Sequence, residues 1–252
     1  MMTLQKSMIV AKSDLKMALK VGYVKYGLIA IGALGPAMMI LTIGSIIIFD
    51  PLSASFVIPL MDALMSPMLG MIAVIPAALI SANALVGERE QNTLEPLLCT
   101  PLTDKELLLG KVLSSFLPSI VLLLGGIFVT EIATAAIFLT MGLPIIPVPG
   151  PAGLFLLLTA GPIMLIAIVS IMILISGKVK RVYEAYQTSG AVVMIFILPM
   201  MLPMISMDAS GMINMDLVWL SNIITLFIAI ILAAVTWALA LGRFNRDTMI
   251  SM

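Results

Sequence analysis

The chain has 252 residues, of which 62% are hydrophobic and only 10% are charged, and its mean hydropathy is +1.21. This composition excludes a water-soluble globular protein, because too few polar side chains are present to cover a surface in contact with water. The formal net charge is zero, so the overall charge gives no indication of nucleic acid or of another highly charged partner.

Residues 1–25 are predicted to form an amphipathic helix at the membrane surface. Lys12, Lys16 and Lys20 recur at intervals of four, and the apolar residues of the segment, such as Met8 and Leu15, fall on a different face. A helix with lysines toward water and lipid headgroups and apolar residues toward the acyl chains is typical of a membrane interface. The alternative is a basic flank that only sets the orientation of the first membrane span.

Six apolar stretches are each long enough to cross a bilayer as a helix, which takes roughly 20 residues. They are residues 27–49, 64–86, 112–140, 152–176, 189–207 and 217–241. The predicted fold class is therefore all-α, with a single polytopic transmembrane domain over residues 1–252. Pro199 and Pro203 make the fifth stretch the least regular, so it is either a simple crossing or a broken, re-entrant segment.

The positions of the 13 Lys and Arg residues indicate the topology. All of them precede the first span, follow the sixth, or lie in the connections after the second and fourth spans. The other three connections carry no Lys or Arg, and their charged residues are Asp50, Asp62, Asp208 and Asp216. Short basic loops remain in the cytoplasm. The sequence therefore predicts a multi-pass cell-membrane protein with both termini in the cytoplasm.

Two connections have a distinctive composition. Residues 141–151 contain four prolines and two glycines, which predicts a tight, non-helical turn outside the membrane. Residues 87–111 carry eight of the 26 charged residues. In this second connection Thr103 and Glu106 have the spacing of a capping box, and Pro101 ends whatever helix precedes it. Two short helical pieces are therefore predicted, and the first mixes leucines with charges, which suits docking in a groove of a soluble partner.

This segment resembles the signature that follows the second membrane helix in ABC-2-type membrane permeases of ATP-binding-cassette exporters. The resemblance rests on Glu88-Arg89-Glu90-x-x-Thr93-Leu94-Glu95-x-Leu97-Leu98-x-Thr100-Pro101-Leu102-Thr103, followed by Glu106-Leu107 and Gly110-Lys111. The upstream run from Lys12 to Lys16 is similar to the start of the family's interfacial helix. Asn92 stands where the family commonly has glycine, and asparagine tolerates a left-handed backbone better than most residues.

The resemblance implies a coupling helix at about residues 88–98 that lies in a cleft of an ATPase subunit and transmits its movement to the spans. The residues implied in this contact are Glu88, Arg89, Glu90, Thr93, Leu94, Glu95, Leu97 and Leu98. A smaller contact is implied for the loop 177–187, through Lys178, Lys180, Arg181 and Glu184. Simple retention of a basic loop in the cytoplasm explains this second set equally well.

The chain lacks the sequence features of an ATPase and of the common catalytic centres. Neither Gly110-Lys111 nor Gly177-Lys178 belongs to a G-x-x-x-x-G-K-[ST] phosphate-binding loop. The sequence contains no histidine, which removes histidine-dependent catalysis and histidine ligation of zinc or haem. We therefore expect no catalytic residue, cofactor or metal on this chain, and we expect ATP and Mg²⁺ to bind to the partner ATPase.

Within the predicted spans, Glu131 is the only ionisable residue well inside an apolar stretch, and Thr130 and Thr134 lie close by. A carboxylate at that depth costs on the order of 2.5 kcal/mol or more unless it faces water or a partner. These three residues are candidates for a substrate pathway. Alternatively, Glu131 reaches the outer interface or bonds to a neighbouring helix.

Together these features predict the permease subunit of an ATP-driven exporter, which is not itself an enzyme. Its predicted partners are an ABC-type ATPase subunit, a second permease copy or a related chain, and the lipid bilayer, with no nucleic acid. The alternatives are an ATP-independent channel or secondary transporter, and a structural subunit of a membrane complex. A channel or secondary transporter leaves residues 88–111 without a purpose and predicts more buried ionisable groups than Glu131.

Overall fold

A computed structural model describes residues 2–20, 22–49, 54–93, 100, 102–206 and 213–243. These residues are helical, with short connections and no β-strand among them, which confirms the all-α fold class. The α-helices are α1 (Met2–Lys20), α2 (Gly22–Phe49), α3 (Ala54–Leu60), α4 (Ser66–Ala82), α5 (Val86–Glu90), α6 (Asp104–Thr140), α7 (Pro151–Phe155), α8 (Gly161–Ser176), α9 (Val182–Met200) and α10 (Met215–Arg243). Single π-helical turns, Met61–Met65 and Leu156–Ala160, join α3 to α4 and α7 to α8.

Five stretches of the described residues are long and apolar enough to cross a membrane. They are Lys25–Phe49, Val57–Glu90, Asp104–Thr140, Pro151–Ser176 and Met215–Gly242. They overlap the first four predicted spans and the sixth. The predicted third span starts at residue 112, but the helix that contains it begins at Asp104, directly after Thr103, the first residue of the predicted capping box.

The predicted fifth span, residues 189–207, does not coincide with any of these five stretches. It falls on α9, which begins earlier, at Val182, with a polar first half. The helix ends at Met200, next to Pro199, and a 3₁₀ turn (Leu202–Ser206) follows it. A broken segment is therefore present here, as the prolines allow, and residues 207–212 lie outside the described residues.

The connection between α6 and α7 is non-helical, as its prolines predict. Gly142 adopts a left-handed backbone with φ +69° just after the end of α6, a position where glycine is favoured because it has no side chain. Pro151 is the first residue of α7. Proline suits this position because the first helical residue needs no amide hydrogen.

The core of the bundle is formed by α4 and α8. Helix α4 packs against α2, α6, α8 and α9, and α8 packs against α4, α6, α9 and α10. Among the five candidate spans, those formed by α2 and α10 are the least buried, and they expose large apolar side chains such as Leu41 and Phe227. This distribution is expected of helices surrounded by lipid or by another membrane chain, since neither environment requires polar side chains.

Candidate functional site

The predicted coupling segment begins with α5, and the start of α5 is fixed on the end of α8. The hydroxyl oxygen of Ser176, the last residue of α8, accepts hydrogen bonds from the backbone N–H groups of Leu85 and Val86, both at 3.0 Å. The first amides of a helix have no partner within the helix itself. Ser176 is fully buried and supplies that partner from a position far away in the sequence.

Arg89 makes the opposite contact, from α5 to the end of α8. Its guanidinium donates to the carbonyl of Val179 at 2.8 Å and to the carbonyl of Gly177 at 3.1 Å. Carbonyls at the C-terminal end of a helix lack partners in the helix and carry partial negative charge. The forked cation therefore stabilises the short connection between α8 and α9.

Glu90 completes this arrangement by binding the start of α9. Its carboxylate accepts the backbone N–H of Val182, the first residue of α9, at 2.8 Å. A negative charge at a helix N-terminus is favourable because the helix dipole is positive there. We refer to Ser176, Arg89 and Glu90 as the capping joint. Through these three side chains, the first and second cytoplasmic connections predicted from the sequence become one structural unit.

Glu88 points in another direction, toward α1 and α6. The ammonium of Lys111 on α6 lies 2.9 Å from a carboxylate oxygen of Asp14 on α1 and also donates to the carboxylate of Glu88. Lys111 is only 1% exposed. We refer to Asp14, Glu88 and Lys111 as the ion triad. It joins α1, α5 and α6 at a single buried point.

The N-terminal helix α1 lies directly against the first turns of α6. The hydroxyl of Ser7 donates to the carbonyl of Glu106 at 2.9 Å. At Gly110 the backbones approach so closely that an added Cβ would lie 2.8 Å from the Cβ of Val10 and 3.1 Å from the carbonyl oxygen of Ser7. Ser7, Val10 and Ala11 are buried, so this face of α1 belongs to the protein core.

The exposed side of α1 carries both lysines and apolar residues. Lys12 and Lys16 are exposed, and so are the apolar side chains of Met8 and Ile9. Met8 lies one turn before Lys12 and Ile9 two turns before Lys16, so the predicted separation of a basic face from an apolar face is wrong for Met8. The position of α1 at the membrane surface stays a prediction. The side chain of Lys20 lies outside the described residues.

The end of α5 explains the role of Asn92. This residue has a left-handed backbone with φ 56°, and the amides of Asn92 and Thr93 donate to the carbonyls of Arg89 and Glu88 at 3.1 and 2.9 Å. This pair of bonds is a Schellman motif, which normally ends a helix at glycine. Asparagine therefore performs the turn that the family's glycine would perform.

The predicted continuous coupling helix over residues 88–98 is wrong at this point, because α5 ends at Glu90 and the Schellman motif turns the chain away. The four residues predicted to follow in the contact, Leu94, Glu95, Leu97 and Leu98, lie outside the described residues. The predicted start of the next helix is confirmed. Thr103 and Glu106 form a complete capping box. The amide nitrogen of Glu106 donates to the hydroxyl of Thr103 at 3.3 Å, and the amide nitrogen of Thr103 donates to the carboxylate of Glu106 at 2.9 Å.

The predicted loop 177–187 is shorter than expected. Helix α9 begins at Val182, so the connection comprises only residues 177–181, and Glu184 lies in the first turn of α9. The carboxylate of Glu184 accepts the backbone N–H of Lys180 at 3.1 Å, which favours an early helix start. The four residues predicted for this contact, Lys178, Lys180, Arg181 and Glu184, are all exposed.

The three candidate pathway residues on α6 do not share one face. Thr130 and Thr134 are fully buried, and their hydroxyls donate to carbonyls of their own helix, those of Gly126 at 2.8 Å and Glu131 at 3.1 Å. Such bonds to the preceding turn are common for threonine in membrane helices. Glu131 is partly exposed, on a side of α6 that also exposes Phe128 and Ile132.

Asp62, which was predicted to lie in an outer connection, lies against Gly150 in another predicted outer connection. It belongs to the π-helical turn before α4 and is fully buried, close to the start of the candidate span Val57–Glu90. Its carboxylate faces the backbone amides at the start of α7. A Cβ added at Gly150 or Gly153 would lie only 2.7 or 2.6 Å from a carboxylate oxygen. No local sequence pattern indicates this contact, because it joins residues about 90 positions apart.

The family of the protein is decided by a match over most of its length. The family model described as ABC-2 family transporter protein matches residues 4–218, which include the capping joint and the ion triad. The chain belongs to the ABC-2 transporter family. This ABC-2 protein is therefore a multi-pass membrane permease subunit, and its family implies partnership with an ABC ATPase subunit. The sequence matches none of the curated proteins with which it was compared.

Replacing Arg89 with alanine is expected to destabilise this ABC-2 protein by about 1–3 kcal/mol, because two carbonyls next to the end of α8 lose their donors. Thermal unfolding of the purified protein in detergent measures the change. Arg181→Ala is the matched control, since Arg181 is exposed in the same connection and its removal is expected to have little effect. Equal stability of the two variants would show that the guanidinium fork does not hold the capping joint together.

Proposed function

We propose that this protein is the permease subunit of an ATP-driven exporter, with a separate ABC ATPase docked on the segment that follows α5. In this proposal the protein crosses the membrane six times, and α9 with its 3₁₀ turn forms the fifth, broken span. Both termini are cytoplasmic, because all 13 Lys and Arg residues lie on one side of the predicted spans. Family membership supports the permease role.

The observation that carries the proposal is the way in which α5 is held. The capping joint binds α5 to the end of α8 and the start of α9, and the ion triad binds it to α1 and α6. A displacement of the segment after α5 is therefore transmitted to four other helices at once. A loop that served only to join two spans would not require this many contacts.

We propose two separate roles within the predicted coupling residues. Glu88, Arg89 and Glu90 bind residues of their own chain, so we assign them to the positioning of the segment. Thr93 helps to end α5, because its side-chain hydroxyl donates a hydrogen bond to the carbonyl of Glu88 at 3.2 Å. We assign the direct contact with the ATPase to Leu94, Glu95, Leu97 and Leu98, whose mixture of apolar and acidic groups suits a groove.

The exposed residues of the second connection extend this docking surface. Lys178, Lys180 and Arg181 are exposed, and Arg89 holds their connection directly beside α5. Charged residues at the edge of an interface guide the approach and the register of a partner. We therefore propose that these residues and Glu184 form a second, smaller contact with the ATPase.

In the transport cycle that we propose, ATP and Mg²⁺ bind to the ATPase subunits and not to the permease. Two permease chains, either identical or related, form the pathway between them. Closure of the two ATPase subunits around ATP moves the segments after α5, and the capping joint and ion triad carry this movement into the spans. The direction of transport in this proposal is out of the cell.

The test is whether the permease stimulates its ATPase through residues 94–98. We expect the purified chain to co-purify with an ABC ATPase and to hydrolyse no ATP alone. Glu95→Ala combined with Leu97→Ala is expected to abolish stimulation of the ATPase without changing membrane insertion, because both residues belong to the proposed docking contact. The ATP hydrolysis rate of the complex, compared with that of the free ATPase, is the measurement.

A matched control for this double variant is Asp216→Ala combined with Leu217→Ala. These two residues form an exposed acidic and leucine pair at the start of α10, in a connection predicted to lie on the outer side of the membrane. Stimulation should remain in this control. Normal stimulation in the Glu95→Ala, Leu97→Ala variant, or ATP hydrolysis by the permease alone, would contradict the proposed function.

A further inference from the structure

Lys111 is enclosed by two carboxylates that belong to different helices. Its side chain is 2% exposed, whereas those of Asp14 and Glu88 are 16% and 15% exposed. One ammonium is thus shared by two carboxylates, and the three ionised groups together carry one negative charge in excess. The second oxygen of Glu88 is buried and accepts no hydrogen bond among the described residues, so the ammonium is the main compensation for this charge.

Simple adhesion between α1 and α6 does not require such a triad. The two helices are already joined by buried Val10, by the bond from Ser7 to the carbonyl of Glu106, and by the close approach at Gly110. Buried ion pairs often stabilise a protein no more than apolar side chains of the same size, because loss of hydration offsets their attraction. Their best-attested use is to specify one relative position of the elements that they join.

The location of Lys111 makes it the point where α1 and α5 meet. It follows Gly110, where α1 comes closest to α6. Its second partner, Glu88, precedes Arg89, which holds the connection after α8. A displacement of α5 relative to α1 would therefore break the contact of Lys111 with either Asp14 or Glu88, and would leave a partly buried carboxylate without its cation.

We propose that Lys111 is a positioning residue that locks α1 to α5, so that the N-terminal helix moves together with the segment on which the ATPase docks. This inference rests on the proposed function. It gives α1 a part in coupling, in addition to its position at the membrane surface. The moving unit then comprises α1, α5 and the first turns of α6.

The test measures the distance between α1 and α5 together with the stimulation of the ATPase. Spin labels are attached through Lys12→Cys on α1 and Gln91→Cys after α5, both exposed positions, in a Cys99→Ser background. We expect one narrow distance distribution in the complex, both without nucleotide and after trapping with ATP and vanadate. In the charge-free variant Asp14→Asn, Glu88→Gln, Lys111→Met, the distribution should broaden and ATPase stimulation should fall about fivefold.

Three further variants define the cause of any change. Lys111→Arg keeps the cation and should retain the narrow distribution. Lys105→Met removes an exposed lysine from the first turn of the same helix and should leave both measurements unchanged. Lys111→Met alone leaves two partly buried carboxylates without a cation and is expected to reduce the yield of folded protein, whereas the charge-free variant avoids this penalty.

Only the combination of a broad distribution and lost stimulation in an inserted, charge-free variant supports the proposal. Failure of that variant to insert would assign the triad to folding and overturn its role in coupling. A change in only one of the two measurements, or in neither, would also overturn that role. If the wild-type permease bound no ATPase, the proposed function would fail. The distances in the permease alone would still show whether Lys111 locks α1 to α5.

Discussion

A cysteine introduced by Ile145→Cys is expected to react with an impermeant thiol reagent added to intact cells, whereas one introduced by Gln91→Cys is expected to react only after permeabilisation. Ile145 is 59% exposed in the connection between α6 and α7, which carries no Lys or Arg. Gln91 is exposed directly after α5, on the side that carries the basic residues. The bilayer between the two positions makes the expected difference nearly all-or-none.

The experiment uses a Cys99→Ser background, so that each variant has a single thiol. Lys180→Cys, in the connection after α8, serves as a second inner position because Lys180 is exposed. Pro149 would be a poor outer position, since it is buried although it lies in the same connection as Ile145. Labelling of Gln91→Cys from outside intact cells would invert the topology and would separate the docking segment from cytoplasmic ATP.

Replacing Gly110 with leucine is expected to detach α1 from α6 and to destabilise their packing by about 3 kcal/mol, the upper end of the usual cost of overpacking. The first added carbon alone would lie 2.8 Å from the Cβ of Val10 and 3.1 Å from the backbone oxygen of Ser7, so α1 itself would have to move. Amide hydrogen exchange across α1 measures the detachment. If α1 takes part in coupling, the stimulation of the ATPase should also fall in the Gly110→Leu variant.

Gly125→Leu provides the matched control on the same helix. A Cβ at Gly125 would meet nothing within 4 Å, and an added apolar side chain on an exposed membrane face has no hydration to lose. Glycine is also a poor helix former, so its replacement there is expected to be neutral or slightly stabilising. Equal exchange in α1 for the two leucine variants would show that the close approach at Gly110 does not hold α1 in place.

Much of this architecture follows from the sequence alone, because local chemistry determines it. Roughly 20 consecutive apolar residues can satisfy their backbone in a bilayer only as a helix, so the spans are visible in the hydropathy. The Thr103 and Glu106 capping box and the left-handed turn at Asn92 involve partners only a few residues away. Such short-range rules can be read directly from residue types and their spacing.

Only the tertiary structure decided what the charged residues of the signature bind. Arg89 meets a carbonyl 90 positions away, and Glu90 meets an amide 92 positions away, and no local pattern contains these pairings. The same holds for Lys111, which resembles an ordinary basic flank in the sequence but is buried between Asp14 and Glu88. Burial depends on which helices pack together, and charged side chains enter a core only where a partner from another element compensates them.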